Sequence, residues 1–263
     1  MLMQITSSDN SLLRQVRAVR DGKIEELIYI EGLRLCEEAL RSQLTIEAVI
    51  VSEELLRKER AAGVIQELSQ AAQRFGSVSE KLLESVSYTK TPQGIVVLAQ
   101  RPKTSLAADL NTKPLLVVLH QINNPVNVGA ILRTAEAAGA VGVITTKNTS
   151  DPFSPKSLRG AMGSAFRLPM WNGPSYVEVI DWCRERGIAT ICADVEATTS
   201  YSEIDWTGPS ALILGPESTG LTAEELELAD QRVSIPMQGM AESLNVAVAG
   251  GVLLFEAARQ RRN

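Results

Sequence analysis

The strongest constraint in this chain is a repeat of order, not of residues. From position 114 onward, short runs that are apolar throughout alternate with stretches of helical spacing. PLLVVLH (114–120), AVGVITT (140–146), IATICADV (188–195), ALILG (211–215) and RVSIPM (232–237) read as strands. VGAILRTAEAAG (128–139), SYVEVIDWCRERG (175–187), TAEELELAD (222–230) and VAVAGGVLLFEAARQR (246–261) read as helices, several with a Gly stop or a Thr or Ser cap. A strand without polar alternation must be covered on both faces, so the expected architecture is a mostly parallel α/β sheet with helices on either side. Ligands of such sheets bind at the carboxyl ends of the strands, which makes the loops there the place to search.

A smaller α/β unit precedes it. Leu27–Ile30 is a short apolar run, LRLCEEAL (33–40) has helical spacing, TIEAVIVS (45–52) and GIVVLAQ (94–100) read as strands, and residues 53–75 read as helical with a break expected at Gly63. RPKTSLAADLNTKP (101–114) has two prolines and no apolar period, as a linker would. The expected domains are therefore 1–100, a linker at 101–113, and 114–263.

Composition narrows the function classes. The chain has 263 residues, of which 44% are hydrophobic and 22% charged, ordinary values for a globular protein. Aromatics make up 4%, too few for a base-stacking platform to dominate nucleic-acid contacts. The longest apolar stretch is interrupted by Gly250 and Gly251 and is too short for a membrane span, and MLMQITSSDNSLLRQVR lacks an apolar signal core, so a cytoplasmic protein is expected. Cys36, Cys183 and Cys192 form no C-x-x-C pair, and with the one histidine they do not assemble a zinc site. Net charge is −5, which opposes nucleic-acid binding by bulk electrostatics. Charges nonetheless balance over residues 1–105, and Arg14, Arg17, Arg20 and Lys23 lie at near-helical spacing; from spacing alone the simpler reading is a solvated helix face.

Familiar site chemistry is missing. There is no phosphate-binding G-x-x-x-x-G-K-[ST], no G-x-G-x-x-G after a strand and no G-x-S-x-G elbow. His120 ends an apolar strand, a position where a histidine is usually a satisfied residue at the edge of the core. Three strand-end loops remain: NNPVNVGAILR (123–133), LILGPESTGLT (212–222) and IPMQGMAESLNVAVAGG (235–251). Each alone is a cap, a tight turn or a strand-to-helix connection.

In this order and spacing, the three loops resemble the motifs of the SpoU/TrmH (SPOUT) family of S-adenosylmethionine-dependent RNA ribose 2′-O-methyltransferases: N-x-x-x-x-x-R, G-x-E-x-x-G-L and I-P-M-x-G-x-x-x-S-L-N. The likeness covers about residues 115–260, and IYIEGLRLCEEAL with YTKTPQGIVVL is similar to the substrate-binding domain that ribosomal-RNA members carry. The resemblance implies a carboxyl-terminal sheet threaded into a trefoil knot, a homodimer, and a cofactor held largely by backbone groups, here at Gly215, Ile235 and Leu244. Nothing in the periodicity indicates a knot, which is rare among folds. The resemblance also implies catalytic roles for Asn127, Arg133, Glu217, Ser243 and Asn245, with Glu217 as the anionic partner of a cation in the site.

A guanidinium stays protonated and is a poor general base, so the role expected of Arg133 is to stabilise the developing alkoxide and grip the adjacent phosphate. Arg14, Arg17, Arg20, Lys23, Lys156 and Arg159 are the candidate RNA contacts. Two positions depart from the family pattern, Ala247 where serine is common and Ser218 where glycine often follows the glutamate. The expected activity is 2′-O-methylation of ribosomal RNA, most of all 23S, with guanosine the favoured target. A transfer-RNA enzyme and a non-catalytic RNA-binding or assembly factor on the same fold stay open.

Overall fold

The computed structural model describes residues 3–103, 105–106 and 112–262. The chain divides into two compact units, Met1–Lys103 with Phe153–Arg167, and Thr104–Pro152 with Leu168–Asn263. Part of the linker at 101–113, residues 104 and 107–111, lies outside the described residues.

The first unit contains β1 (Met3–Ile5), α1 (Ser11–Arg20), β2 (Leu27–Glu31), α2 (Leu33–Arg41), β3 (Ile46–Ser52), α3 (Glu53–Leu56), α4 (Glu59–Ala71), β4 (Arg74–Val78), α5 (Glu80–Val86) and β5 (Ile95–Gln100). Its sheet runs β1-β4-β3-β5-β2, parallel among β1, β4 and β3 and antiparallel where β5 meets β3 and β2. The β-branched run of β3 is buried on both faces at Ile46, Ala48, Val49, Ile50 and Val51. Asn10 caps α1 by accepting from the Leu12 amide at 2.9 Å, and Leu12, Leu13, Val16 and Val19 form its buried face.

Residues 53–75 are not one helix. The break falls at Arg57 and Lys58, whose amides close short turns onto Glu54 and Leu55, while α4 runs through Gly63 uninterrupted. Helix ends at Ala71, and Arg74 and Phe75 already belong to β4. β4 escapes the sequence pattern because RFGSV is short and mixed in polarity; it is a strand because β1 and β3 pair it on both sides.

The second unit opens with β6 (Leu115–Leu119), α6 (Pro125–Ala137) and β7 (Gly142–Thr145). The chain then contributes α7 (Pro155–Ala161) and α8 (Ser164–Arg167) to the first unit. It resumes with β8 (Met170–Asn172), α9 (Tyr176–Glu185), β9 (Ala189–Ala193), β10 (Ser210–Leu214), α10 (Ala223–Leu228), β11 (Gln231–Val233) and α11 (Val246–Arg261). The sheet order is β11-β9-β10-β6-β7-β8, with every pairing parallel. β6 and β10, adjacent at its centre, are buried at every residue, as their unbroken apolar runs require.

Residues 153–167, placed by sequence in the carboxyl-terminal domain, instead pack with the first unit: α7 lies against β2, and Arg167 bridges to Glu38 at 2.7 Å. The cause is local. Phe153 and Leu158 are buried, and the Arg101 guanidinium stacks 4.8 Å above the Phe153 ring.

At its far end, α11 is secured by Arg261. Its guanidinium donates to the Lys113 carbonyl at 2.6 Å and the Ser210 hydroxyl at 2.7 Å, and burial lowers its pKa. Trp206, fully buried, donates its indole N–H to the Tyr201 carbonyl at 2.9 Å. No described helix is long and apolar enough to cross a membrane.

Candidate active site

The three loops leave the carboxyl ends of β6, β10 and β11. Asn124 caps α6 by accepting from the Val126 amide at 3.0 Å, and Pro125 occupies the first turn, where a missing N–H costs nothing. That start places Asn127 on the inner side of the helix, 8% exposed. Its Nδ2 donates to Glu217 Oε1 at 3.0 Å, and its Oδ1 accepts from Asn245 Nδ2 at 3.3 Å. Asn245 in turn caps α11, its Oδ1 accepting from the Ala247 amide at 3.0 Å. One residue from each loop thus joins a single hydrogen-bonded chain, Glu217–Asn127–Asn245.

Glu217 is also held by backbone. The Asn123 amide donates to Oε2 at 3.3 Å and the Asn124 amide to Oε1 at 3.4 Å. Its carboxylate therefore sits over the amino end of α6, where the helix dipole favours negative charge. Among the described residues it forms no ion pair; its partners there are the α6 helix start and Asn127. Arg133, further along α6, is exposed and among the described residues has neither hydrogen bond nor ion pair.

The 212–222 loop bends at Gly215, where an added Cβ would lie 2.9 Å from Leu221 Cγ and 3.2 Å from the Leu221 amide nitrogen. Only glycine lets the two ends of this turn approach so closely. Thr222 and Glu225 then start α10 with a reciprocal capping box. In the third loop, Ile235 and Leu244 are half-buried, Ser243 is exposed, and Met240 is fully exposed. Among the described residues, no backbone N–H from Ile235 to Leu244 donates to another backbone group.

The candidate RNA contacts divide. Arg14, Lys23, Lys156 and Arg159 are exposed. Arg17 donates to the Ser8 carbonyl. Arg20 pairs with Asp21 at 2.9 Å and donates to the carbonyls of Ser85 and Ser87 at 3.3 and 3.2 Å, so it ties α1 to the end of α5.

His120, 3% exposed, is the polar residue at this end of the sheet for which sequence offered only a bland reading. Both ring nitrogens are engaged, Nδ1 with Thr146 Oγ1 at 3.0 Å and Nε2 with Glu225 Oε1 at 2.9 Å. Burial lowers its pKa, and the Glu225 carboxylate opposes that shift. The signal in sequence was a histidine ending one strand and a capping-box glutamate after another, linked by nothing in their spacing. The buried thiols are inert by the same physics, with desolvation pushing Cys192 up to about 11 and Cys183 up to about 12. Among the described residues, no cluster of three His, Cys, Asp or Glu is placed to hold a metal.

Comparison with known proteins agrees with this layout. Residues 114–255 match the SpoU rRNA Methylase family, and residues 12–97 match the MRM3-like substrate binding domain. The chain is 32% identical over 259 residues to the 23S rRNA (guanosine(2553)-2′-O)-methyltransferase RlmP of Bacillus subtilis, covering 97% of this chain and 98% of that one. It is 35% identical over 199 residues to a 23S rRNA (uridine(2479)-2′-O)-methyltransferase of Streptomyces viridochromogenes, covering 72% and 68% of the two chains. The crystal structure of an AdoMet-bound rRNA methyltransferase from Sinorhizobium meliloti superposes with a TM-score of 0.86 at 30% identity, covering 98% of each chain. Three loops meeting at Asn127, on a parallel sheet matched over most of its length, establish that the chain belongs to the SpoU rRNA Methylase family.

Proposed function

We propose that this protein transfers a methyl group from S-adenosylmethionine to a ribose 2′-hydroxyl of large-subunit ribosomal RNA, with guanosine the favoured nucleotide. The observation that carries the reading is the Glu217–Asn127–Asn245 chain, which draws all three loops together within the matched region. Relatives with both guanosine and uridine in their names share the fold, so the base preference rests on the RlmP-like relative that spans the whole chain.

The loops fit the cofactor. The close turn at Gly215 leaves no room for a side chain, and the amides from 235 to 244 have no backbone partner among the described residues. Gly215, Ile235 and Leu244 would hold the cofactor through their backbone groups. When bound, S-adenosylmethionine supplies an electrophilic methyl on a sulfonium.

The chain's own residues do the rest. Asn127, Glu217 and Asn245 keep the loops in one arrangement, so that positioning lowers the barrier to in-line attack. Arg133, without a hydrogen bond or ion pair among the described residues, offers its fork to the phosphate beside the target ribose and to the oxygen that gains charge as the 2′-hydroxyl loses its proton. Ser243, exposed in the third loop, is assigned to substrate placement.

A homodimer belongs to the same reading. Val126 on α6 and Val248 and Phe255 on α11 are 48%, 53% and 49% exposed on two helices that pack together, an apolar surface that a second copy would cover. A trefoil knot also belongs to it; its support is the return of the chain from edge strand β11 to α11, which packs on α6 and β10. A cytoplasmic location belongs to the same reading; its support is a ribosomal RNA substrate together with three free thiols.

The test is transfer of tritiated methyl from S-adenosylmethionine to unmodified ribosomal RNA and precursor subunits, with wild type and Arg133→Ala in parallel. A nuclease-resistant ribose label in 23S RNA that vanishes with the variant supports the enzyme. Cofactor binding without label on any RNA would favour a binding factor, and the absence of cofactor binding would sink the proposal.

A further inference from the structure

α10 is a short helix without a buried residue, yet it ends the loop that begins at Gly215. Leu221 and Leu226 reach the core only in part. A segment so poorly anchored by apolar contact would be expected to open locally. Polar contacts hold it instead, and they converge on Glu225. Its Oε2 accepts from the Thr222 amide at 2.9 Å, its carbonyl accepts from the Tyr176 hydroxyl at 2.9 Å, and its Oε1 meets His120 Nε2 at 2.9 Å.

His120 is itself fixed on every side. Its amide donates to the Leu214 carbonyl at 2.9 Å, which ties β6 to β10 one residue before Gly215. Its Nδ1 lies 3.0 Å from the Thr146 hydroxyl, and its ring meets Tyr176 edge-on at 4.8 Å. A carboxylate only accepts, so Nε2 carries a proton; burial disfavours a second proton on the ring, so Nδ1 accepts from Thr146. The bond to Glu225 is thus made by the neutral ring, between side chains 4% and 21% exposed.

We infer that His120 is a positioning residue for the cofactor loop: through Glu225 it latches α10 to the end of β6 and holds the 215–221 turn ready before any ligand arrives. The cofactor part of this inference rests on the function proposed above; the latch itself does not. A loop already ordered spares the ligand the entropy of ordering it, so losing the latch raises the dissociation constant more than it slows the chemical step.

Two amides of equal polarity separate the bonds. In His120→Gln the amide nitrogen stands where Nε2 stood and can donate to Glu225; in His120→Asn the shorter side chain puts its amide oxygen near Nδ1, accepting from Thr146, and leaves nothing to reach Glu225. Amide hydrogen exchange of the ligand-free protein should quicken about tenfold across 215–228 in the Asn variant, with β6 and β10 unchanged and the Gln variant close to wild type. S-adenosylmethionine affinity, measured by calorimetry, should fall about tenfold in the Asn variant with kcat nearly kept. Unchanged exchange at 215–228, or equal quickening across the whole sheet, would overturn the latch. Quickened exchange with wild-type affinity would overturn its link to the cofactor. If wild type binds no S-adenosylmethionine, the proposed function fails, and exchange alone still decides the latch.

Discussion

Asn127 Nδ2 lies 3.0 Å from Glu217 Oε1, a bond between residues 90 positions apart, and the opposite end of the same amide accepts from Asn245. One small side chain, nearly buried, thereby uses donor and acceptor to join three loops that have no sequence contact. Glu217 is held at the start of α6, and among the described residues no carboxylate pairs with Arg133.

Asn127→Ala should therefore cost about 1–3 kcal/mol of stability, because Glu217 and Asn245 each lose a partner. Urea unfolding checks this by a lower midpoint at unchanged slope. The cofactor KM should rise with it. Wild-type stability and KM together would show that the junction holds nothing.

Arg133→Ala should behave in the opposite way. An exposed, unpaired side chain contributes about 0.5 kcal/mol or less to the fold, so the melting temperature stays near wild type. Single-turnover methyl transfer should fall by about 100-fold or more. Arg133→Lys keeps the charge without the fork, and near-normal rates in that variant would refute bidentate contact.

The protein has one histidine, so the pH range around 6.5 reports on His120 with little interference from other side chains. Burial holds its native pKa below the ordinary 6.5, and the unfolded chain accordingly binds the proton first as pH falls. Stability should be complete above pH 6.5, decline as pH drops from there towards the native value, and level off below it. Urea midpoints taken at intervals from pH 8 to 5 should show this slope in wild type and lose it in His120→Gln.

RNA binding should separate the nominated cations. Lys156→Glu and Arg159→Glu remove exposed charges, so each should weaken ribosomal RNA binding and flatten its salt dependence by about one counterion. Arg20→Ala should leave that slope alone and lower stability, since its guanidinium is committed to Asp21, Ser85 and Ser87.

Thiol reagent should find nothing to react with in the native protein. Cys36, Cys183 and Cys192 are all buried with raised pKa values. Three equivalents should appear only in denaturant. Fast labelling without denaturant would mean the cores around them open readily.

Much of the fold is legible locally. The apolar runs of β6 and β10, the Thr222 cap and the whole of α11 follow from periodicity and capping, because burial on both faces and helix ends impose rules on neighbouring residues. The three loops are legible through their resemblance to the family motifs, since each alone reads as a cap, a tight turn or a connection. What sequence alone did not determine depends on residues far apart. RFGSV becomes β4 only because two strands flank it, residues 153–167 join the first unit through contacts that include Glu38, Arg101 and β2, and Glu217 accepts from a helix start 93 positions away. The pairing of His120 with Glu225 spans 105 positions and two strands. Local spacing dictates which face of an element is apolar; which polar groups then meet is decided by strand order and register, and those exist only once the chain has folded.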